Sequence, residues 1–130
     1  MKITGIISGI FGLTGVLLGA FGAHALKDLL LAHGTADAWD TAVRYQLVHA
    51  VALLVIAGWR GQTGSSANAS RDWLHYTARC WAAGLVLFSG SLYGYALGGP
   101  HALVFVTPVG GLLLALGWVA LLVHVAKLPA

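Results

Sequence analysis

The chain has 130 residues, 58% of them hydrophobic and 8% charged, with a mean hydropathy of +0.84. A soluble domain of this size needs a polar shell, with charged residues near ~25%, so composition excludes a water-soluble fold. The formal charge of +3 comes from few groups, without the basic cluster that marks a nucleic-acid binder. The single cysteine, Cys80, excludes an internal disulfide and any CxxC metal or redox motif.

Residues 3–23 carry no charge over 21 positions, which as a helix gives ~31 Å, the thickness of a hydrocarbon core. Along this run Gly5, Ser8, Gly12, Gly15, Gly19 and Gly22 recur at spacings of 3, 4, 3, 4, 3. Such a stripe of small residues predicts close packing of one membrane helix against another. A signal peptide competes for the same segment, because Lys2 gives a basic start and Ala23-His24-Ala25 resembles a cleavage site. The run is longer than the usual ~7–15-residue signal core, and a glycine stripe has no purpose in a discarded segment, so the helix is expected to be retained.

Residues 26–40 mix apolar positions with Lys27, Asp28, His33, Asp37 and Asp40. Leu26, Leu29 and Leu30 share a helical face that suits the membrane interface. A second apolar segment occupies residues 43–59, with Arg44 at its mouth. Residues 61–70 form a Gly/Ser/Asn/Gln linker, after which Ser70 is placed to cap a helix and Asp72 to suit its positive end. The third apolar segment is 80–97, extended back to Arg71, and Gly98-Gly99-Pro100 signals a turn. In the last segment, residues 102–126, Pro108 either kinks a helix or begins one capped by Thr107. The second choice is preferred, since proline favours the first helical position. Lipid permits only helices with internally satisfied backbones.

The expected fold is therefore an all-α integral membrane protein. A single domain over 1–130 holds four transmembrane helices, at about 3–24, 41–59, 71–97 and 108–126, in a compact bundle with small-residue packing on the first and third. Lys2, Arg60, Arg71, Arg79 and Lys127 fall on one side, Lys27 and Arg44 on the other, which places both termini in the cytoplasm. Trp59, Trp73 and Trp81 are then expected at the inner interface and Trp39 at the outer one.

His49 is the sharpest candidate for chemistry. It lies about 7–8 Å deeper along the second helix than Arg44, and an ionisable side chain at membrane depth is a functional-site hypothesis by default. Thr41, Tyr45, Gln46 and His49 line one side of that helix. His24 ends the first helix, turned about 200° away from Gly22 and so off the glycine stripe. On the third helix Gly90 and Gly94 form GxxxG, and the pairs Ser89/Tyr93 and Ser91/Tyr95 are four residues apart. Two readings follow: a polar pocket of His24, Tyr45, Gln46, His49, Ser89, Ser91 and Tyr93 in the outer half, or a hydrogen-bonded bundle core. A His24/His49 pair is also a weak metal or haem candidate, though no carboxylate or thiol lies at matching depth.

Four strings resemble a known family. They are Gly19-Ala20-Phe21-Gly22-Ala23-His24-Ala25-Leu26, Thr41-Ala42-Val43-Arg44-Tyr45-Gln46-Leu47-Val48-His49, Phe88-Ser89-Gly90-Ser91-Leu92-Tyr93 and Thr107-Pro108-Val109-Gly110-Gly111, with Gly117-Trp118 beyond. In this order they resemble the small membrane proteins called domain of unknown function 423, which have an animal relative in transmembrane protein 256. The resemblance implies a four-helix protein of the bacterial inner membrane and no known activity. It implies that His24, Tyr45, Gln46, His49, Ser89, Ser91, Tyr93, Thr107, Pro108 and Gly110 are recurrent positions.

No catalytic arrangement is present: there is no acid pair within an apolar segment, no GxSxG, and no base for Cys80. The expected function is that of a structural, accessory or assembly component of the membrane. It would pack with itself or with a larger complex, with no catalysis, no metal and no cofactor. The alternatives are binding or transport of a small molecule, lipid or proton near His49, and metal or haem binding.

Overall fold

A computed structural model describes the backbone of residues 2–62 and 68–128, and side chains at 2–60 and 73–128. Five helices follow in order: α1 (Lys2–Ala23), α2 (Lys27–His33), α3 (Ala36–Gln62), α4 (Asn68–Ala96) and α5 (Leu103–Ala126). Three are long and apolar enough to cross a membrane: α1, α3 over Ala36–Arg60, and α5. α4 has 29 residues, but its polar first half and its Ser/Tyr-rich end dilute its apolar stretch.

The helices pack in the spatial order α1, α3, α4, α5, with α2 bridging α1 and α3 at one end. The main core joins α3, α4 and α5 through Leu53, Ile56, Leu74, Trp81, Leu85 and Leu114. A smaller one joins α2, α3 and α4 through Leu30, Trp39 and Ala96. Only Thr4, Ser8 and Gly15 of α1 are buried, while Ile3, Ile6, Ile10, Leu13, Val16, Leu17 and Phe21 face outward. This inside-out pattern, polar or small toward the protein and large aliphatic away from it, is the one lipid selects. In water the same face would be a large sticky patch.

Several boundaries differ from expectation. The second long helix starts at Ala36 rather than near 41. Gly34 ends α2 in the left-handed conformation at φ 65°, and the chain re-enters a helix within two residues because Trp39 then fills the small core. Residues 61–70 are not all linker, since α3 runs to Gln62 and α4 begins at Asn68. Residues 63–67, and the side chains of Ser70 and Asp72, lie outside the described residues. The Gly98 turn forms as expected, with φ 88° and its N–H donating to Tyr95 O at 3.0 Å. At the same end Thr35 Oγ1 donates to Ala96 O at 2.9 Å, supplying one of the last carbonyls of α4 with a partner.

Pro108 does not begin the last helix. α5 starts at Leu103, where the N–H groups of Leu103, Val104 and Phe105 bond carbonyls three residues back at 3.0–3.1 Å. These tight turns satisfy the first donors without a side-chain cap. Pro108 thus costs one helical hydrogen bond, and Thr107 Oγ1 bonds back to Leu103 O at 3.3 Å instead of capping. Trp39 and Trp81 are also not interface anchors. Each is 1% exposed, with its indole N–H donating to Leu18 O (2.9 Å) and Leu114 O (3.2 Å) respectively.

The glycine stripe of α1 is used unevenly. A β-carbon on Gly15 would meet Leu47 Cδ2 at 2.8 Å, one on Gly19 would meet Val43 at 3.3 Å, and one on Gly22 would enter the Trp39 ring; Gly5 only just reaches Ala57, at 4.0 Å. A β-carbon on Gly12 or Gly90 would meet nothing within 4 Å among the described residues, while one on Gly94 would meet Leu103. The tightest approach is elsewhere, between α4 and α5. A β-carbon on Gly110 would overlap the Phe88 backbone, one on Gly117 the Trp81 ring, and one on Gly84 would meet Leu114 Cδ2 at 2.7 Å.

Gly110→Ala should therefore lower stability by about 1–3 kcal/mol, because a helix backbone rather than a movable side chain stands in the way. Gly12→Ala should cost nothing and gain up to about 1 kcal/mol from helix propensity. Thermal unfolding of both variants in a mild detergent measures the difference.

Candidate functional site

Gln46 and His49 are the buried polar residues of α3 among the described residues, whereas Asp37, Asp40 and Arg44 are exposed. Gln46 is 4% exposed and spends its side chain on two neighbouring helices. Its Nε2 donates to Phe11 O at 2.9 Å and to Thr14 Oγ1 at 2.8 Å, both on α1. Its Oε1 accepts from the Tyr93 hydroxyl of α4 at 2.8 Å. Thr14 passes its own proton back to Ile10 O at 2.7 Å. Tyr93 meets Trp39 edge to face with centroids 4.8 Å apart. One amide thus ties three helices, with both donor hydrogens used and the carbonyl oxygen paired.

One turn further along α3, His49 is also 4% exposed. Its Nδ1 lies 2.9 Å from Tyr45 O, and its Nε2 lies 3.2 Å from Trp118 Nε1 of α5. An indole nitrogen only donates, so Nε2 is the acceptor and the ring proton sits on Nδ1, donated to Tyr45 O. The ring is enclosed by Trp81 and Trp118, with centroids at 5.7 and 6.0 Å. Both nitrogens are occupied, and coordination of a metal or haem iron at Nε2 would require expelling Trp118.

The serines act locally. Ser89 Oγ donates to Ala42 O of α3 at 2.9 Å. Ser91 Oγ contacts Thr107 Oγ1 of α5 at 2.7 Å and Phe88 O at 3.0 Å. Tyr45 is partly exposed, stacks on His49 at 6.1 Å and lies 4.6 Å from the Phe88 ring.

Of the seven expected pocket residues, Gln46 and Tyr93 meet directly, and Tyr45 and His49 are neighbours on α3. Ser89 and Ser91 face different partners. His24 sits exposed in the turn after α1, outside the hydrogen-bonded cluster, so the His24/His49 pair does not form a ligand set. Among the described residues no group of three or more His, Cys, Asp or Glu is placed to hold a metal. Neither Gln46 nor His49 lines any of the four best-formed cavities.

Sequence reasoning did not find Thr14 or Trp118 as partners. Thr14 lies beside, not on, the glycine stripe, and a tryptophan at the Gly117-Trp118 string carries no mark of what its N–H will meet. Thr107 was expected as a helix cap, not as the partner of Ser91.

Comparison with known proteins finds relatives named as membrane proteins. Residues 18–111 match the family model described as "Protein of unknown function (DUF423)". The chain is 38% identical to a UPF0382 membrane protein of Haemophilus influenzae, over 82% of this chain and 79% of that one. It is 34% identical to the UPF0382 membrane protein YwdK of Bacillus subtilis, over 98% of each chain. It is 37% identical to the UPF0382 inner membrane protein YgdD of Escherichia coli, over 95% and 88% of the two chains. No solved structure matches it. With a family model covering most of its length and relatives of this identity, the chain belongs to the DUF423 family of membrane proteins, whose function is unknown.

Proposed function

We propose that this protein is a structural or assembly component of the bacterial inner membrane that works by packing, with itself or within a larger membrane complex, and catalyses no reaction. The observation that carries the proposal is that the buried polar side chains around Gln46 and His49 are consumed by one another, by Trp118 and by backbone carbonyls. Gln46 makes three hydrogen bonds and His49 uses both nitrogens. A binding site keeps convergent polar groups open to a cavity, whereas here they are sealed between helices. A proton- or ligand-carrying role for His49 gains no support from this arrangement.

In this reading α1, α3, α4 and α5 all span the bilayer. α4 is the least apolar of the four, but it lies between α3 and α5, and its hydroxyls at Ser89, Ser91 and Tyr93 are paired there. The excess of Lys and Arg at the end carrying Lys2, Arg60 and Lys127 favours cytoplasmic termini. Open small residues support assembly: a β-carbon on Gly9, Gly12, Gly58 or Gly90 would meet nothing among the described residues within 4 Å. Such positions admit a neighbouring helix backbone in lipid.

Gln46→Leu should cost about 1–3 kcal/mol, since it strands the Tyr93 hydroxyl and a carbonyl of α1. Tyr93→Phe, which breaks one of the three bonds, should cost about 0.6–1.7 kcal/mol. Reversible unfolding in detergent reads both. For assembly, the double variant Gly9→Leu/Gly12→Leu should keep the wild-type unfolding temperature in detergent yet lose the cross-linked or co-purifying species seen in native membranes. An unchanged cross-linking pattern would sink the assembly reading.

A further inference from the structure

One described cavity is not lined by Gln46 or by any partner of its side chain. It is a groove of about 510 Å³ at the end of the bundle where α1 begins and α3 ends, bounded by α1 and α4 and floored by α3. The backbones of α1 and α4 do not pack closely on each other, which leaves the space open. Its chemistry divides along its length. Lys2, Arg60 and Arg79 gather at it, one from each helix, while Ile7, Leu53 and Ala82 supply an apolar wall. Among the described residues no carboxylate lines it.

We propose that this groove binds an anionic phospholipid, with the phosphate held by Lys2, Arg60 and Arg79 and an acyl chain lying along Ile7, Leu53 and Ala82. Three arguments carry the assignment. First, three cations from three helices meet without a described acidic partner, a repulsive arrangement that an anion relieves. Second, Arg60 is only half satisfied. Its guanidinium donates to Thr4 Oγ1 at 3.3 Å, while its buried Nε finds no acceptor among the described residues. A phosphate ester offers several acceptor oxygens in the geometry a guanidinium prefers. Third, the level is right. Lys2 opens α1 and Arg60 lies two residues from the end of α3, so both sit where a span of ~30 Å meets the headgroups, and the apolar wall runs inward from there. A free phosphate would use the cations but has no need of the wall. A zwitterionic lipid would bring its ammonium group into a cluster of three positive charges.

The test uses the full chain in a mild detergent, titrated with phosphatidylglycerol, with phosphatidylcholine of the same acyl chains, and with inorganic phosphate. Retained lipid and the shift in unfolding temperature are the readouts. Phosphatidylglycerol should bind saturably and about tenfold or more tighter than phosphatidylcholine, with inorganic phosphate inert at the same concentration. Arg60 also braces α1 through Thr4, so its loss confounds folding. The exposed Lys2 and Arg79 carry the test instead: Lys2→Gln/Arg79→Gln should unfold normally without lipid and lose about tenfold in phosphatidylglycerol affinity. Arg44→Gln, at the opposite end of the bundle, should bind as wild type. The assignment is overturned if the two lipids bind alike, if inorganic phosphate alone reproduces the shift, or if the double variant keeps full affinity.

Discussion

A primary amide buried in hydrocarbon has no water to fall back on, and most of this bundle is arranged around that fact at Gln46. Its two N–H groups and its oxygen demand three partners whose positions are fixed by the planar amide. The chain supplies them from two other helices, Phe11 O and Thr14 of α1 and Tyr93 of α4. Sliding either helix by one residue moves its partner by ~1.5 Å along the axis, enough to break the bond. The amide therefore sets register as well as contact. A glutamate here would lose both donor groups, which is why the residue type matters and not only its polarity.

Elsewhere the same bundle is held by shape. α4 and α5 approach closely because glycine faces a bulky side chain or bare backbone across the interface: Gly110 against Phe88, Gly117 against Trp81, and Gly84 against Leu114. Gly22 against Trp39 repeats the device between α1 and α3. Trp39, Trp81 and Trp118 each bring an indole N–H that lipid cannot satisfy, and each finds an acceptor across the interface, at Leu18 O, Leu114 O and His49 Nε2 respectively. α3 and α5 meet through rings rather than close backbones, as in the His49–Trp118 and Trp59–His124 contacts. His49 is thus explained as an acceptor for an otherwise stranded tryptophan donor.

What the sequence made legible follows from which signals are local. Uncharged runs of spanning length identify the long helices without a partner in view, and Gly98 announces its own turn. Pro108 misled because its two roles, first residue or interior residue, differ only in whether the preceding turn is satisfied, and here Leu103, Val104 and Phe105 close that turn through backbone bonds. Of the α1 stripe, Gly15, Gly19 and Gly22 are the positions where an added β-carbon would meet α3 side chains within 3.3 Å. The periodicity cannot say that a β-carbon at Gly12 would meet nothing described within 4 Å, although Phe11 O and Thr14 on either side of it bond Gln46. His49 and Gln46 stand out as polar residues in an apolar helix, but their partners Thr14 and Trp118 are 32 and 69 residues away. Only the fold brings them together.

The clasp at Gln46 also determines where the bundle opens. α3 is bonded to α1 through Ser8 and Gln46, and to α4 through Ala42–Ser89 and Gln46–Tyr93. Among the described residues no comparable bond joins α1 to α4 directly. Both of the latter helices are drawn to α3 rather than to each other, and toward the end carrying Lys2 they flank it as separate walls. The groove with Lys2, Arg60 and Arg79 is the consequence. Closing it with large side chains would have needed apolar residues at those three positions, whereas the chain places three cations there. Satisfying buried polar groups at one end thus leaves a charged, membrane-facing cleft at the other, and the two features belong to one packing solution.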